Sequence, residues 1–318
     1  MLSLNDFREK QILFIHNSAD IESKIKFQND NIIYVKDDKT TDKLSCYKIL
    51  AIFIIGDISF TTVLIKNAIK FGISIFLMKP NFEVYATIES KADGNFLLRN
   101  KQYKASNEFY IAKKLVKNKL FNQFELMLKE KYLDKERCTN KKNEIVEKIK
   151  NAKDEKELLG IEGSASKNFF GGYFEELGWR GRSPRTKVDE YNLLLDIGYT
   201  FIFNYVDALL RLYGFDVYKG CYHKLFFKRK SLSCDIVEPF RCVIDKQLLK
   251  SFRLGQIDKK DFKFINGQYS LNYEKSKKYS EIFLKGILRY KENIFDYVYE
   301  YYRFIMDDSR NFPFFEIK

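Results

Sequence analysis

The chain has 318 residues, enough for one large domain or two ordinary ones, and 45% of them are hydrophobic, which excludes a disordered protein. Its formal net charge of +13 and pI near 9.2 favour a polyanionic partner, either nucleic acid or an anionic membrane surface. No apolar run approaches the roughly 20 residues of a bilayer span, residues 1–10 hold no signal-peptide core, and the five cysteines form no Cys-x-x-Cys pair, so the expectation is a cytosolic protein with reduced thiols and neither disulfide framework nor zinc knuckle.

Residues 10 to 90 read as a small β-rich unit with one helix. Gln11 to His16, Asn31 to Lys36 and Ile49 to Ile55 are short β-branched or apolar runs between polar turns. Ser59 to Phe71 has an apolar stripe at helical spacing and ends at Gly72. Ile73 to Met78 and Phe82 to Glu89 are the remaining strands, with Pro80-Asn81 between them. His16 has no acidic partner at a suggestive spacing and reads as structural.

Residues 91–100, with Ala92-Asp93-Gly94-Asn95, break the pattern and read as a linker. The expected organisation is α+β: an N-terminal β-rich, sandwich-like domain with one helix over 1–90, then a larger all-α domain over 101–318. Ile111, Leu115, Leu120, Phe124 and Leu128 mark one helix face; Lys113, Lys114, Lys117 and Lys119 are assigned to its solvated side. Asp134 to Lys156, densely charged with mixed signs, reads as an exposed helix pair turning near Thr139-Asn140. Next, Glu162 stands among small and apolar residues between Gly160 and Gly163, where an unpaired ionised carboxylate needs a cation, a metal or solvent.

Gly178 to Lys187 is a loop holding Arg180, Arg182 and Arg185, whose guanidinium forks suit phosphate oxygens as readily as solvent. Asp189 to Leu210 is the expected central core helix. Asp258 to Gly267 is polar, with room for a small hairpin, and Tyr279 to Ile305 reads as one long amphipathic helix rich in Tyr.

Chemistry concentrates between Tyr222 and Arg241. His223 is followed by Lys224, Lys228, Arg229 and Lys230; Ser231 is then placed to cap a short helix carrying Asp235 and Glu238 on one face. Imidazole with carboxylates suits a divalent cation such as Mg²⁺ or Mn²⁺, and the cations suit a phosphate backbone. The same residues also serve as ordinary hydrogen-bonded and ion-paired structure, and the stretch alone does not separate the two.

Four matches in order decide it: Leu158-Leu-Gly-Ile-Glu162-Gly-Ser-Ala165; Ser183-Pro184 with Val188-Asp-Glu-Tyr-Asn-Leu-Leu-Leu195 and Gly198-Tyr199; His223; and Ser231-Leu-Ser-Cys-Asp235-Ile-Val-Glu238-Pro-Phe-Arg241. With them the chain resembles the CRISPR-associated spacer-integrase family, the first and most widespread Cas protein. Arg185 and Cys234 depart mildly from the family pattern, away from the implied ligands. The resemblance implies a divalent metal, Mg²⁺ or Mn²⁺, held by Glu162, His223 and Glu238, with Asp235 in support and Ser231 and Arg241 near the site. It implies a DNA integrase and endonuclease that inserts spacer DNA by attack of a 3′-hydroxyl on a repeat phosphodiester. The expected DNA contacts are Arg180, Arg182, Arg185, Lys224, Lys228, Arg229, Lys230 and Arg241. Expected partners are double-stranded DNA, a second copy in a homodimer and the small second Cas protein in a heterohexamer, with no membrane. The rival readings are a metal-dependent nuclease or junction resolvase without integration, and a non-catalytic DNA-binding scaffold.

Overall fold

The computed structural model describes residues 10–17, 22–79, 83–90, 95–179, 181–224, 226–307 and 309–318. The expected Pro80-Asn81 break, residues 91–94 of the expected linker, and Arg180 lie outside the described residues. The N-terminal part is two four-stranded sheets. The first runs β1 (Gln11–His16), β5 (Ile49–Ile55), β7 (Ser74–Met78), β8 (Val84–Ile88), parallel except for the last pair. The second runs β4 (Lys39–Ser45), β3 (Asn31–Lys36), β2 (Ser23–Gln28), β6 (Ser59–Phe60).

All of β5 is buried, which is why its sequence is an unbroken apolar run rather than an alternating one. Its side chains still alternate. Ile52 and Ile54 join Ile15, Ile25 and Ile32 in a core shared with helix α1 (Thr62–Lys70), whereas Ala51, Phe53 and Ile55 belong to the core of the helical part. The sequence reading missed β2 and β4. β4 is exposed or half-exposed along its length at a sheet edge, so no apolar signal marks it. The expected helix from Ser59 starts later: Ser59-Phe60 pairs with β2, and the Thr61 hydroxyl caps α1 by accepting from Leu64 N.

The helical part comprises α2 (Phe96–Lys104), α3 (Glu108–Lys129), α4 (Lys135–Asn151), α5 (Glu155–Tyr173), α6 (Glu190–Tyr213), α7 (Ser231–Val237), α8 (Arg241–Arg253), α9 (Tyr273–Leu288) and α10 (Lys291–Met306). A hairpin of β9 (Phe262–Ile265) and β10 (Gln268–Leu271) makes this part not wholly α. From Asn95 onward the expected linker is helix. Asn95 caps α2 by accepting from Leu98 N and donates to Tyr213 O, so the polar residues that broke the pattern include a helix cap. The expected helix pair is the single helix α4. Thr139 satisfies its hydroxyl on Lys135 O within the helix, and Cys138, Ile145 and Ile149 form its buried stripe. The expected long C-terminal helix is two, α9 and α10, interrupted at Arg289-Tyr290 without any Gly or Pro to mark the break.

α6 is the axis of the helical core, capped by Asp189 and ended by Gly214 at φ +86°. It is long and apolar enough to cross a membrane, with mean hydropathy 1.4, but 78% of that window is buried inside the protein. At Gly198 a Cβ would stand 2.4 Å from Ile244 Cγ2 on α8 and 3.0 Å from Phe283 on α9. The three helices meet there because that side chain is absent. Two buried asparagines on α3 then hold residues 315–317. Asn118 exchanges hydrogen bonds with Phe315, and Asn122 donates to Phe315 O and accepts from Ile317 N. Asn122 also donates to Pro239 O, tying α3 to the turn that carries Glu238.

Gly198→Ala is expected to destabilise the fold by about 1–3 kcal/mol through overpacking, although Ala is the better helix former. Urea denaturation checks this; an unchanged or raised midpoint would contradict the close approach.

Candidate active site

Asp235, on α7, organises the loop that precedes it. Its Oδ2 accepts from Cys221 N (2.6 Å) and Tyr222 N (3.0 Å), and its Oδ1 accepts from His223 N (2.8 Å) and His223 Nδ1 (2.7 Å). A carboxylate receiving three backbone N–H groups acts as acceptor towards the ring too. In the neutral ring Nδ1 therefore carries the proton and Nε2 the lone pair. Gly220 makes this possible, since a Cβ there would lie 2.8 Å from Asp235 Oδ2 and 2.8 Å from the Ser231 carbonyl carbon. Asp235 and Glu238, expected to share one helix face, do different work: α7 ends at Val237, and Glu238 opens a 3₁₀ turn through Phe240. Ser231 is the first helical residue rather than the cap; its hydroxyl donates to Lys224 O and closes the base of the loop.

Glu162 and Glu238 come together around Lys119. The Lys119 ammonium donates to Glu162 Oε1 and lies 2.7 Å from Glu238 Oε2. Tyr222 OH donates to Glu162 Oε2, and Arg241 Nε donates to Glu238 Oε1 at 2.9 Å. All four charged side chains are wholly or largely buried. Burial opposes the charge on Glu238, but Arg241, Lys119 and then the nearby His223 ring outweigh it and hold the carboxyl down at about 2. Burial likewise opposes the Lys119 ammonium, and Glu238 and Glu162 outweigh it, so its pKa is raised. The Tyr222 phenol is pushed well up by burial and then by Glu162, and it stays a donor.

A second layer supports this one. The guanidinium groups of Arg241 and Arg182 lie 4.8 and 5.4 Å from the centre of the Tyr199 ring, and Tyr199 OH donates to the buried Asp245. Burial raises the Asp245 carboxyl to about 7, against the opposing pull of Tyr199 and Arg241.

The expected phosphate-binding cations divide. Arg182 is turned inward onto Asp196 and Asn192, because α6 presents both at its first turns, and the loop does not offer it as an open clamp. Lys230 is also turned inward, onto buried Asp207, which binds Ser233 and Arg211 as well. Arg241 belongs to the carboxylate cluster. Lys224 is exposed but paired with Glu155. Arg185 and Lys228 are exposed and Arg229 half-exposed.

Lys119 and Tyr222 are the residues that sequence reasoning did not assign to the site. On α3 Lys119 stands four residues after Leu115 and four before Gln123, both buried, which puts it on the inner side of the helix. Its charge, not its spacing, placed it outside. Tyr222 had no such signal, because only tertiary contact brings it to Glu162.

Among the described residues, no three His, Cys, Asp or Glu side chains stand ready as a metal cage. The donors nonetheless suit a cation. Two carboxylates already converge on a positive charge, and with Nδ1 engaged by Asp235 the His223 ring has Nε2 left to coordinate.

The sequence profile of the CRISPR associated protein Cas1 family matches residues 19–285. A CRISPR-associated endonuclease Cas1 of Thermodesulfovibrio yellowstonii is 26% identical over 257 residues, 76% of this chain and 80% of that protein. One from Archaeoglobus fulgidus is 26% identical over 270 residues, covering 74% and 76%. Among solved structures, a chain of a partial Cas6-RT-Cas1–Cas2 complex superimposes with TM-score 0.78 at 22% identity, covering 97% of this chain and all of that one. A casposase bound to its integration product gives 0.71 at 19%, covering 96% and 94%. At these identities the structural neighbours establish a shared fold.

Lys119→Met leaves two buried carboxylates facing each other and is expected to cost about 3–5 kcal/mol in chelator, read by chemical denaturation. Because the folded Glu238 carboxyl lies below its ordinary 4.5, at about 2, its contribution is complete above that ordinary value and is lost as pH falls towards the lower one. The stability gap between wild type and Glu238→Gln should therefore be flat near neutrality and narrow below about pH 4.5; a gap that widens on acidification would contradict the assignment.

Proposed function

The chain belongs to the CRISPR-associated Cas1 family, and from that premise we propose that it is a divalent-metal-dependent DNA integrase and endonuclease that inserts spacer DNA into a CRISPR array. The observation that carries this reading is the convergence of Glu162 and Glu238 on one buried ammonium, in the electrostatic neighbourhood of an imidazole whose orientation Asp235 fixes. Glu162 and Glu238, far apart in sequence, share a place that stability alone does not require. Buried ion pairs are often no better than an apolar packing of the same volume.

In this reading Glu162, Glu238 and His223 Nε2 hold Mg²⁺ or Mn²⁺. The bound ion supplies charge neutralisation at the phosphate and a route to an activated hydroxyl at neutral pH. The chain's own residues do the rest. Asp235 holds the imidazole so that Nε2, not Nδ1, faces outward. Tyr222 OH orients Glu162, and Arg241 orients Glu238. Exposed Arg185 and Lys228 and half-exposed Arg229 draw the phosphate backbone to the site. The 3′-oxygen of the donor strand then forms a bond to phosphorus as the target's own 3′-oxygen leaves and takes up a proton. Water in place of the donor hydroxyl gives cleavage instead. A second copy of the chain, and the small second Cas protein as a bridge, would present two such sites to the two ends of one DNA. In support, two of the structural neighbours are chains of Cas1–Cas2 assemblies.

One observation favours the rival scaffold: Lys119 and Arg241 already neutralise Glu162 and Glu238 as ordinary ion pairs. The two readings part in a strand-transfer assay with a 3′-hydroxyl duplex and a repeat-bearing plasmid. Chelator should abolish joining. His223→Ala and Glu238→Gln should each lower it more than about 100-fold, the loss of about 3 kcal/mol or more of transition-state stabilisation. Asp235→Asn, which substitutes a donor where His223 needs an acceptor, should cost about 10–100-fold. DNA cleaved but never joined would point to a nuclease or resolvase; DNA bound but neither joined nor cleaved would leave only a scaffold.

A further inference from the structure

Four carboxylate oxygens meet in the buried cluster, and each already faces a donor. Glu162 Oε1 accepts from the Lys119 ammonium and Glu162 Oε2 from Tyr222 OH. Glu238 Oε1 accepts from Arg241 Nε, and Glu238 Oε2 lies 2.7 Å from Lys119 Nζ. A divalent ion that ligates both carboxylates must therefore take oxygens from donors that engage them now. Of these three donors only Lys119 touches both carboxylates. It bridges them, as an ion bound by both would.

The donors also differ in what holds them. Arg241 is a planar fork with its guanidinium 4.8 Å from the centre of the Tyr199 ring. Tyr222 belongs to the loop whose backbone N–H groups are fixed on Asp235. Lys119 is a compact charge at the end of a flexible four-carbon stem, and its side chain is 13% exposed, so part of it already meets solvent. An ammonium and a divalent cation repel each other at contact distance, most strongly where water is excluded, so they do not share one carboxylate pair. We propose that Lys119 is a built-in competitor for the metal ion: its ammonium pairs with Glu162 and Glu238 until an ion takes them, swings off them when it does, and thereby lowers the affinity of the protein for that ion. This inference rests on the metal reading above and adds to it that loading the ion displaces one particular side chain. Removing the ammonium then has two effects of opposite sign. It leaves the carboxylates unpaired in chelator, which costs stability, and it frees them for the ion, which raises affinity. A lysine that merely braced the site would give a loss in both.

The experiment is a Mn²⁺ titration of the purified full chain without DNA, with the free ion read by electron paramagnetic resonance. Lys119→Met should bind Mn²⁺ at least about tenfold more tightly than wild type. Lys117→Met removes the same charge from the same helix, where the ammonium lies 5.1 Å from the centre of the Phe121 ring, and should bind as wild type. The wild-type chain gives a second readout that needs no variant. Acetylation by an amine-directed reagent, mapped by mass spectrometry, should be slow at Lys119 in chelator and several-fold faster with Mn²⁺, while Lys117 reacts equally in both. A folded Lys119→Met chain whose affinity equals or falls below that of wild type overturns the proposal. Where that variant does not fold, the labelling decides, and Lys119 reactivity that Mn²⁺ leaves unchanged overturns it. Failure of every chain to bind Mn²⁺ would sink the metal reading and this inference together. Equal binding by wild type and Lys119→Met would spare that reading and sink the inference alone.

Discussion

The ammonium of Lys119 between the carboxylates of Glu162 and Glu238 is the interaction on which the rest of the site depends. Two buried carboxylates repel each other strongly at low local dielectric, and each needs a positive partner before helix α5 and the turn after α7 can approach α3. Lys119 supplies that partner from the middle of α3, with its side chain only 13% exposed. The helices can then pack as a common core while carrying a charged cluster at their junction. The arrangement stores a cation requirement in the fold: whatever else enters, the carboxylate pair is never without a positive charge nearby.

Around that centre the supporting groups form a hierarchy of constraints. Asp235 fixes three consecutive backbone N–H groups and one ring nitrogen, so the His223 side chain is oriented by its own main chain as well as by its partner. Asn122 ties α3 both to the turn of Glu238 and to residues 315–317. Lys119 and Glu238 are thereby held in register from opposite sides of the same short stretch. Beneath them, Arg182 and Arg241 over the Tyr199 ring, with Asp245 accepting the Tyr199 hydroxyl, continue the polar network into the core without leaving its charges unpaired. Such networks are worthwhile only when nearly complete.

The division of the basic residues carries a related lesson. A net charge of +13 does not make every cation a DNA contact. Lys119, Lys230 and Arg241 are turned onto buried carboxylates, Arg182 onto half-buried Asp196 and Lys224 onto Glu155. Arg185, Lys228 and Arg229 remain towards solvent, the last two in the loop that bears Phe226 and Phe227.

Much of the fold was legible in the residues themselves. β1, β3 and β5 are where short apolar runs between polar turns put them, and α6 is where its caps and continuous apolar spacing put it, because those signals are local. The motifs that carry Glu162, His223 and Glu238 were legible too, since their order can be read in sequence even though their geometry cannot. The sequence alone could not separate Asp235 from Glu238, three residues apart and chemically alike; one faces a ring of backbone donors and the other a buried ammonium. Nor could it move Lys119 from the solvated side to the centre, or show that α9 and α10 are two helices. Those outcomes depend on which distant groups come within a few ångströms. Charge–charge and hydrogen-bond energies are set by that distance and by exclusion of water, and both exist only once the helices have packed.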